Sequence, residues 1–194
     1  MPHHPLLVLR QACEQDLERI MELEASGFAP AIRESHHVML MRLQHFPSGF
    51  LVLENDAGKT MGYLCSEIWS TQDESKPIMN TERFALGHDI RHTHQENGDC
   101  LYISSMTIDP AYRGQGIGQH FFTQALTRLR QTHSDVSSSL LLLSAEWRNA
   151  HRIYQTCGYT GITSISGFFT AIAKHDDSAI VMQLSFKNPL FPSK

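Results

Sequence analysis

The sequence has no close pair of cysteines. Cys13, Cys65, Cys100 and Cys157 lie far apart, with no C-x-x-C unit among them. That spacing indicates neither a disulfide framework nor a zinc knuckle, and reduced, buried thiols are the plain reading. A strong excess of one charge is also missing. The formal net charge is -4, so there is no basic field to hold nucleic acid or an anionic membrane. No apolar stretch approaches the ~20 residues that a membrane span needs. The opening Met1-Pro2-His3-His4-Pro5 has neither a basic n-region nor a long apolar run. His88, His92 and His94 form the only dense histidine cluster, but it lies in a polar loop and lacks four clear zinc ligands. Together these absences predict a cytoplasmic protein with no bound metal and no nucleic-acid or membrane partner.

What is present suits one folded domain over residues 1–194. Hydrophobic residues make up 41% of the chain, enough for a sizeable core. Leu6 to Leu9 reads as an opening strand. Leu17, Ile20, Met21 and Glu24 share a helical stripe that Gly27 and Pro30 end. Val38, Met41, Leu43 and Phe46 predict a second helix, stopped by Pro47 and Gly49. Phe50–Glu54 and Met61–Trp69 read as a hairpin across Asn55-Asp56-Ala57-Gly58-Lys59. Residues 70–98, with Pro77 and Asn80, form a long polar connection holding a short helix near Thr81–Leu86. Cys100–Ile108 is a strand. A helix over Gly116–Gln131 shows the apolar face Ile117, Phe121, Phe122, Ala125, Leu126 and Leu129. Leu140 to Leu143, inside Ser137–Ser144, is a continuous apolar run typical of a strand buried on both faces. A short helix over Asn149–Cys157 stops at Gly158, and strands near Tyr159–Thr170 and Ala179–Phe186 follow.

The chemistry is concentrated where the strand at 100–108 meets its helix. There the chain reads Met106-Thr107-Ile108-Asp109-Pro110-Ala111-Tyr112-Arg113-Gly114-Gln115-Gly116-Ile117-Gly118-Gln119. Glycines let a backbone approach a ligand closely. The first N–H groups of a helix lack internal partners, and the helix dipole adds positive charge there. Together they make a site for a pyrophosphate. A P-loop is excluded because no Lys follows the glycines. The spacing Gly114-x-Gly116-x-Gly118 is also wrong for a dinucleotide fingerprint.

Arg113-x-x-Gly116-x-Gly118, entered through Asp109-Pro110, resembles motif A of the GNAT superfamily of acetyltransferases. Asn149-Ala150-His151-Arg152-Ile153-Tyr154-Gln155-Thr156-Cys157-Gly158-Tyr159 resembles its motif B. The resemblance implies an α+β (mixed α/β) fold, with a central, mostly antiparallel sheet of six to seven strands flanked by about four helices. It also implies acetyl-CoA as acyl donor. Arg113, Gly114, Gln115, Gly116, Ile117, Gly118 and Gln119 would then hold the pyrophosphate. Met106, Thr107 and Ile108 would pair with the pantetheine arm, and the Met106 N–H would face the oxyanion. Asn149 would lie near the pantetheine or start its helix, and Tyr154 would protonate the leaving thiolate.

Segments Phe28–Trp69 and Phe168-Phe169 through Ser185-Phe186-Lys187-Asn188-Pro189-Leu190-Phe191 resemble the serotonin (arylalkylamine) N-acetyltransferase branch. This implies a small primary amine as acceptor, acting as monomer or homodimer. A protein N-terminus or lysine is the alternative acceptor, and a catalytically weak acetyl-CoA sensor is the alternative role. The vertebrate enzymes of that branch carry two histidines where this chain has Tyr102 and Ser104. An alkylammonium, titrating near ~10.4, must lose a proton before it can attack. Tyr102 with Ser104 rank first for that task, Glu67 second and Glu146 third. Phe28, Phe46, Trp69, Phe168 and Phe169 could line the amine pocket, though core packing is their ordinary use.

Overall fold

The computed structural model of the protein describes residues 7–72 and 81–186. In chain order the elements are β1 (Val8–Gln11), α1 (Leu17–Gly27), α2 (His36–His45), β2 (Phe50–Glu54), β3 (Thr60–Trp69) and α3 (Ile90–Thr93). Then follow β4 (Cys100–Ile108), α4 (Ile117–Thr132), β5 (Ser138–Ser144), α5 (Arg148–Thr156), β6 (Thr160–Ile165) and β7 (Ala179–Ser185). The strands form a seven-stranded sheet in the order β1-β2-β3-β4-β5-β7-β6. β4 and β5 run parallel, whereas β1–β2, β2–β3, β5–β7 and β6–β7 are antiparallel. The expected mixed, mostly antiparallel fold is therefore present, with five α-helices among the described residues where about four were expected. The described chain gathers into two compact units, one of residues up to Ser66 with Ser105–Thr132, the other of Glu67–Ser104 with residues from His133 on.

In the first unit, Leu17, Ile20 and Leu23 of α1 and Met39 and Leu43 of α2 cover Phe50, Val52, Tyr63 and Cys65. The four strand residues alternate along β2 and β3, as positions on one face of a sheet must. Helix α2 buries Met39, Arg42 and Leu43 rather than the expected Val38 and Met41. Ser35 starts the helix, its Oγ accepting the Val38 N–H at 3.2 Å, and Met39, Arg42, Leu43 and Phe46 share one face at i, i+3, i+4 and i+7. Arg42 tolerates burial because its guanidinium meets Glu34 at 2.9 Å. Helix α4 buries the whole stripe that its sequence shows, Ile117 to Leu129. Full burial of Phe121 and Phe122 contributes about 1.5–3 kcal/mol each.

In the second unit, Trp69, Phe84, Cys100, Tyr102, Leu140 and Val181 form one buried cluster. β7 pairs with β5 along the full run from Ser138↔Ser185 to Ser144↔Ala179. β4 pairs with β5 only over Cys100–Ile103, so the last five residues of the strand lie outside that ladder. β6 stops at Ile165, short of the expected Thr170, because Gly167 turns with φ +74 and its N–H donates to Asp177 at 3.0 Å. The polar connection holds a 3-10 turn over Thr81–Phe84 and then α3, which the sequence did not suggest. Asp89 starts α3 by accepting the Arg91 N–H at 3.0 Å. Leu6, Pro77, Asn80 and the tail Lys187–Phe191 lie outside the described residues. Among the described residues no helix is long and apolar enough to cross a membrane.

Candidate active site

The glycine turn is built from both of its ends. On the strand side, Asp109 accepts the Ala111 N–H at 2.9 Å and an N–H of Arg19, in α1, at 2.5 Å. Partial burial would raise its carboxyl, but the Ala111 N–H and Arg19 hold it below the ordinary carboxylate value. Two further glycines, Gly62 and the Gly27 that ends α1, admit neighbours to β4. A Cβ at Gly62 would lie 2.8 Å from the Thr107 carbonyl oxygen, and one at Gly27 would lie 2.4 Å from Thr107 Oγ1.

On the helix side, Gly114 and Gly116 hold φ of +76 and +78, a region that L side chains occupy only with strain. Open space surrounds the position of a Cβ at each, and Gly114, Gln115 and Gly116 are exposed. Gly118 sits in the first helical turn. The His120 N–H donates to the Gly116 carbonyl at 3.1 Å and opens the i→i−4 ladder. The N–H groups of Gly116, Ile117, Gly118 and Gln119 therefore have no acceptor within α4. They lie at the positive end of a 16-residue helix. Arg113 folds back instead of reaching outward, donating to the Ile108 carbonyl at 2.9 Å and to Thr107 Oγ1 at 3.3 Å.

One polar chain in this unit had no role in the sequence reading. Glu24 and Tyr63 are buried, and Ser105 is half-buried on β4. The Tyr63 hydroxyl donates to Glu24 Oε2 and lies 2.9 Å from Ser105 Oγ. The Glu34 N–H donates to Glu24 Oε1 at 2.8 Å. Burial pushes the Glu24 carboxyl up, against the pull of Tyr63 and the Glu34 amide. The signal available in the sequence was a carboxylate inside an apolar helical stripe.

In the second unit, Tyr154 is half-buried on α5. Burial, with the nearby Cys157, pushes its phenol up to about 12, so it remains a donor at neutral pH. Gly158, at φ +92, ends the helix behind it. Tyr159 donates to Ser139 Oγ at 2.7 Å, and Ser139 to the Leu101 carbonyl at 2.8 Å. Asn149 lies exposed in the first turn of α5, and Trp147 occupies the N-cap. The alternative that Asn149 starts the helix is thereby corrected: the His151 N–H reaches the Trp147 carbonyl at 3.0 Å, one residue earlier than expected.

Tyr102 is buried, its ring stacked on Trp69 at 4.0 Å and edge-on to Phe84 at 5.5 Å. Ser104 is half-buried. Glu67 is buried, where it accepts from Thr93 Oγ1 and its other carboxyl oxygen meets His88 Nε2. His88 Nδ1 lies 2.9 Å from the Ala85 carbonyl oxygen, which can only accept. Nδ1 must then carry a hydrogen, and the Nε2···Glu67 contact needs one more proton. The pair holds that proton either as imidazolium with carboxylate or as imidazole with carboxylic acid. Glu146 accepts the N–H groups of Lys174, His175 and Asp176 at 3.1, 2.6 and 3.1 Å, which hold its carboxyl below the ordinary value. Its lone pairs serve the chain between β6 and β7, so it is corrected from proton acceptor to loop clasp. His94 Nδ1 accepts the Ile68 N–H at 3.1 Å. Among the described residues no group of three His, Cys, Asp or Glu side chains is arranged to hold a metal.

A glycine turn opens α4, fed by a strand with part of its length outside the parallel ladder, and this arrangement suits an anion at the helix N-terminus. The model of the Acetyltransferase (GNAT) family matches residues 16–159, and the chain belongs to that family. The uncharacterized N-acetyltransferase YkwB of Bacillus subtilis (strain 168) is 27% identical over 118 residues, covering 58% of this chain and 50% of that protein. The chain thus spans about half the length of that curated relative. Among solved structures, the GphF GNAT-like decarboxylase in complex with isobutyryl-CoA superposes with a TM-score of 0.74 at 15% identity, covering 92% and 99% of the two chains. The ribosomal-protein-S18-alanine N-acetyltransferase of Escherichia coli gives 0.67 at 15% identity over 93% and 94%. Both likenesses are likenesses of fold.

Proposed function

We propose that the protein is an acetyl-CoA-dependent N-acetyltransferase that acetylates a small primary amine, of the arylalkylamine or polyamine kind, by direct attack in a ternary complex. The observation that carries the acetyl-CoA part of this reading is the turn at Gly114 and Gly116, both at positive φ, exposed, and opening α4. The residues present fit a diphosphate. Unpartnered backbone N–H groups, a helix dipole and the absence of side chains at the two bends favour an anion there.

Acetyl-CoA supplies a thioester carbonyl open to nucleophilic attack. Every other part of the chemistry falls to the chain. The N–H groups of residues 116–119 hold the diphosphate, flanked by Arg113, Gln115 and Gln119. Backbone groups of Met106, Thr107 and Ile108 grip the pantetheine arm along the part of β4 outside the β5 ladder. The Met106 N–H faces the carbonyl oxygen as negative charge develops there. We assign Asn149 to the pantetheine as well. Tyr154 keeps its proton for the departing thiolate, as its raised phenol requires. Tyr102 with Ser104 are the first candidates to accept the amine proton, and Glu67, with His88 beside it, is the second.

The test is thiol release from acetyl-CoA by purified protein with tryptamine, phenethylamine, spermidine, free amino acids and peptides. Turnover confined to the small amines is the expected result. Turnover confined to peptides would instead establish a protein N-terminal or lysine acceptor. CoA binding without turnover across the panel would establish an acetyl-CoA sensor.

A further inference from the structure

We propose that Ser105, Tyr63 and Glu24, in place of the Tyr102–Ser104 pair, form a relay that draws the proton from the acceptor amine; this rests on the acetyltransferase reading above. Glu24 is 1% exposed, and its hydrogen-bond partners are the Tyr63 hydroxyl and the Glu34 amide. A buried carboxylate is costly where packing alone would serve. Its neighbour Glu34 answers that cost with Arg42 at 2.9 Å. Glu24 is bonded to a hydroxyl instead, and that hydroxyl continues to a second one on another strand. The second hydroxyl, on Ser105, is half-exposed and directly precedes Met106, whose N–H is assigned to the oxyanion. The far end of the chain thus emerges on the strand where the acyl group is held.

Donor and acceptor order is consistent along the chain. Ser105 donates to Tyr63 and Tyr63 donates to Glu24, so one concerted shift moves one proton inward. The amine N–H bond breaks as Ser105 Oγ–H forms. Ser105 yields its original hydrogen to Tyr63, and Tyr63 yields its own to Glu24 Oε2. The balance is a neutral amine and a protonated Glu24, with both hydroxyls restored. The charged and titratable groups around the terminus are Glu34 and Arg42, with Tyr63 and Cys65 on β3. Glu34 disfavours and Arg42 favours the carboxylate.

The experiment measures kcat and KM for tryptamine from about pH 6 to 10 in the full-length protein and in Tyr63→Phe, Glu24→Gln and Ser105→Ala. Thermal melting and CoA titration accompany each variant. General-base catalysis is worth roughly 10²–10⁴-fold. The first two variants should therefore lose at least tenfold in kcat/KM at pH 7 with an unchanged KM for acetyl-CoA. The loss should shrink as pH approaches the alkylamine value of ~10.4, where the free base no longer needs the relay. Hydroxylamine, largely neutral at pH 7, should be acetylated within threefold of wild type. A structural role alone would lower the melting temperature, leave the pH profile unchanged and affect both nucleophiles equally; that result overturns the relay. Ser105→Ala, at the half-exposed end, carries the test if the buried variants do not fold. A wild-type protein inactive toward every amine removes the acetyltransferase reading and the relay together. An active wild type whose folded variants keep its profile removes the relay alone.

Discussion

Replacing Gly116 by Ala isolates the backbone conformation of the turn from everything else. At φ +78 an L residue is strained by roughly 1–2 kcal/mol. No collision is added, because nothing lies within 4 Å of the new Cβ. Loss of unfolded-chain freedom returns about 0.4–1 kcal/mol to the folded state. The net change in global stability should therefore stay under about 2 kcal/mol. Binding is affected differently. If the turn relaxes to negative φ, its N–H groups leave the anion, and restoring them costs the same ~1–2 kcal/mol. At about 1.4 kcal/mol per decade, CoA affinity should fall roughly 5- to 30-fold. Calorimetric titration with CoA and with pantetheine, which lacks the diphosphate, separates the effects: only CoA should weaken. A CoA Kd within twofold of wild type, or an equal loss for both ligands, refutes the reasoning. Gly62→Ala is the contrasting control. Its Cβ would meet Ile108 Cδ1 at 2.5 Å and the Thr107 carbonyl at 2.8 Å, so it should lower the melting temperature first.

Tyr154→Phe should lower kcat by roughly 10²–10⁴-fold with an unchanged CoA Kd. Because burial pushes this phenol up to about 12, wild-type turnover should show no loss from its ionisation below about pH 10 in the same assay. Tyr159→Phe removes a buried 2.7 Å bond to Ser139 and should cost about 0.5–1.5 kcal/mol in denaturant unfolding, leaving CoA affinity intact. Glu24→Gln should change how stability depends on pH. The native carboxyl titrates above its unfolded value of 4.5, so the stability it contributes is complete below 4.5 and is lost as pH rises through the folded value. Melting curves from about pH 4 to 8 should show the variant gaining on wild type as pH rises; a constant difference would refute the shift.

The order of elements was legible because most carry a clear period and hard stops. Phe50–Glu54 and Cys100–Ile108 match their expected bounds, and the α4 stripe is buried throughout. Misreadings arose where a side chain, not a period, decides. In α2 the buried stripe includes Arg42, whose pairing with Glu34 lets a charged residue stand in the inward face. Asp177 curtails β6 by gathering Gly167 and Phe169, a contact ten residues away that no local pattern shows. α3 is four residues long, too short to display periodicity. The glycine turn stood out because its chemistry is contiguous. The Glu24–Tyr63–Ser105 chain did not, because its members are 39 and 42 positions apart and meet only through folding. Glu67 was ranked second for the amine proton, but its partner His88 belongs to a loop whose path the sequence leaves open.

Glu146 gathers three successive amides of the β6–β7 connection with one carboxylate, and it does so from outside the strand ladder. Lys174 and His175 contribute only their backbones to that clasp, so their side chains can be exchanged while the connection keeps its shape, whereas Asp176 also accepts the Ser178 N–H at 2.9 Å. Evolution can therefore rewrite the chemical face of this segment one residue at a time, with β5, β6 and β7 left in register.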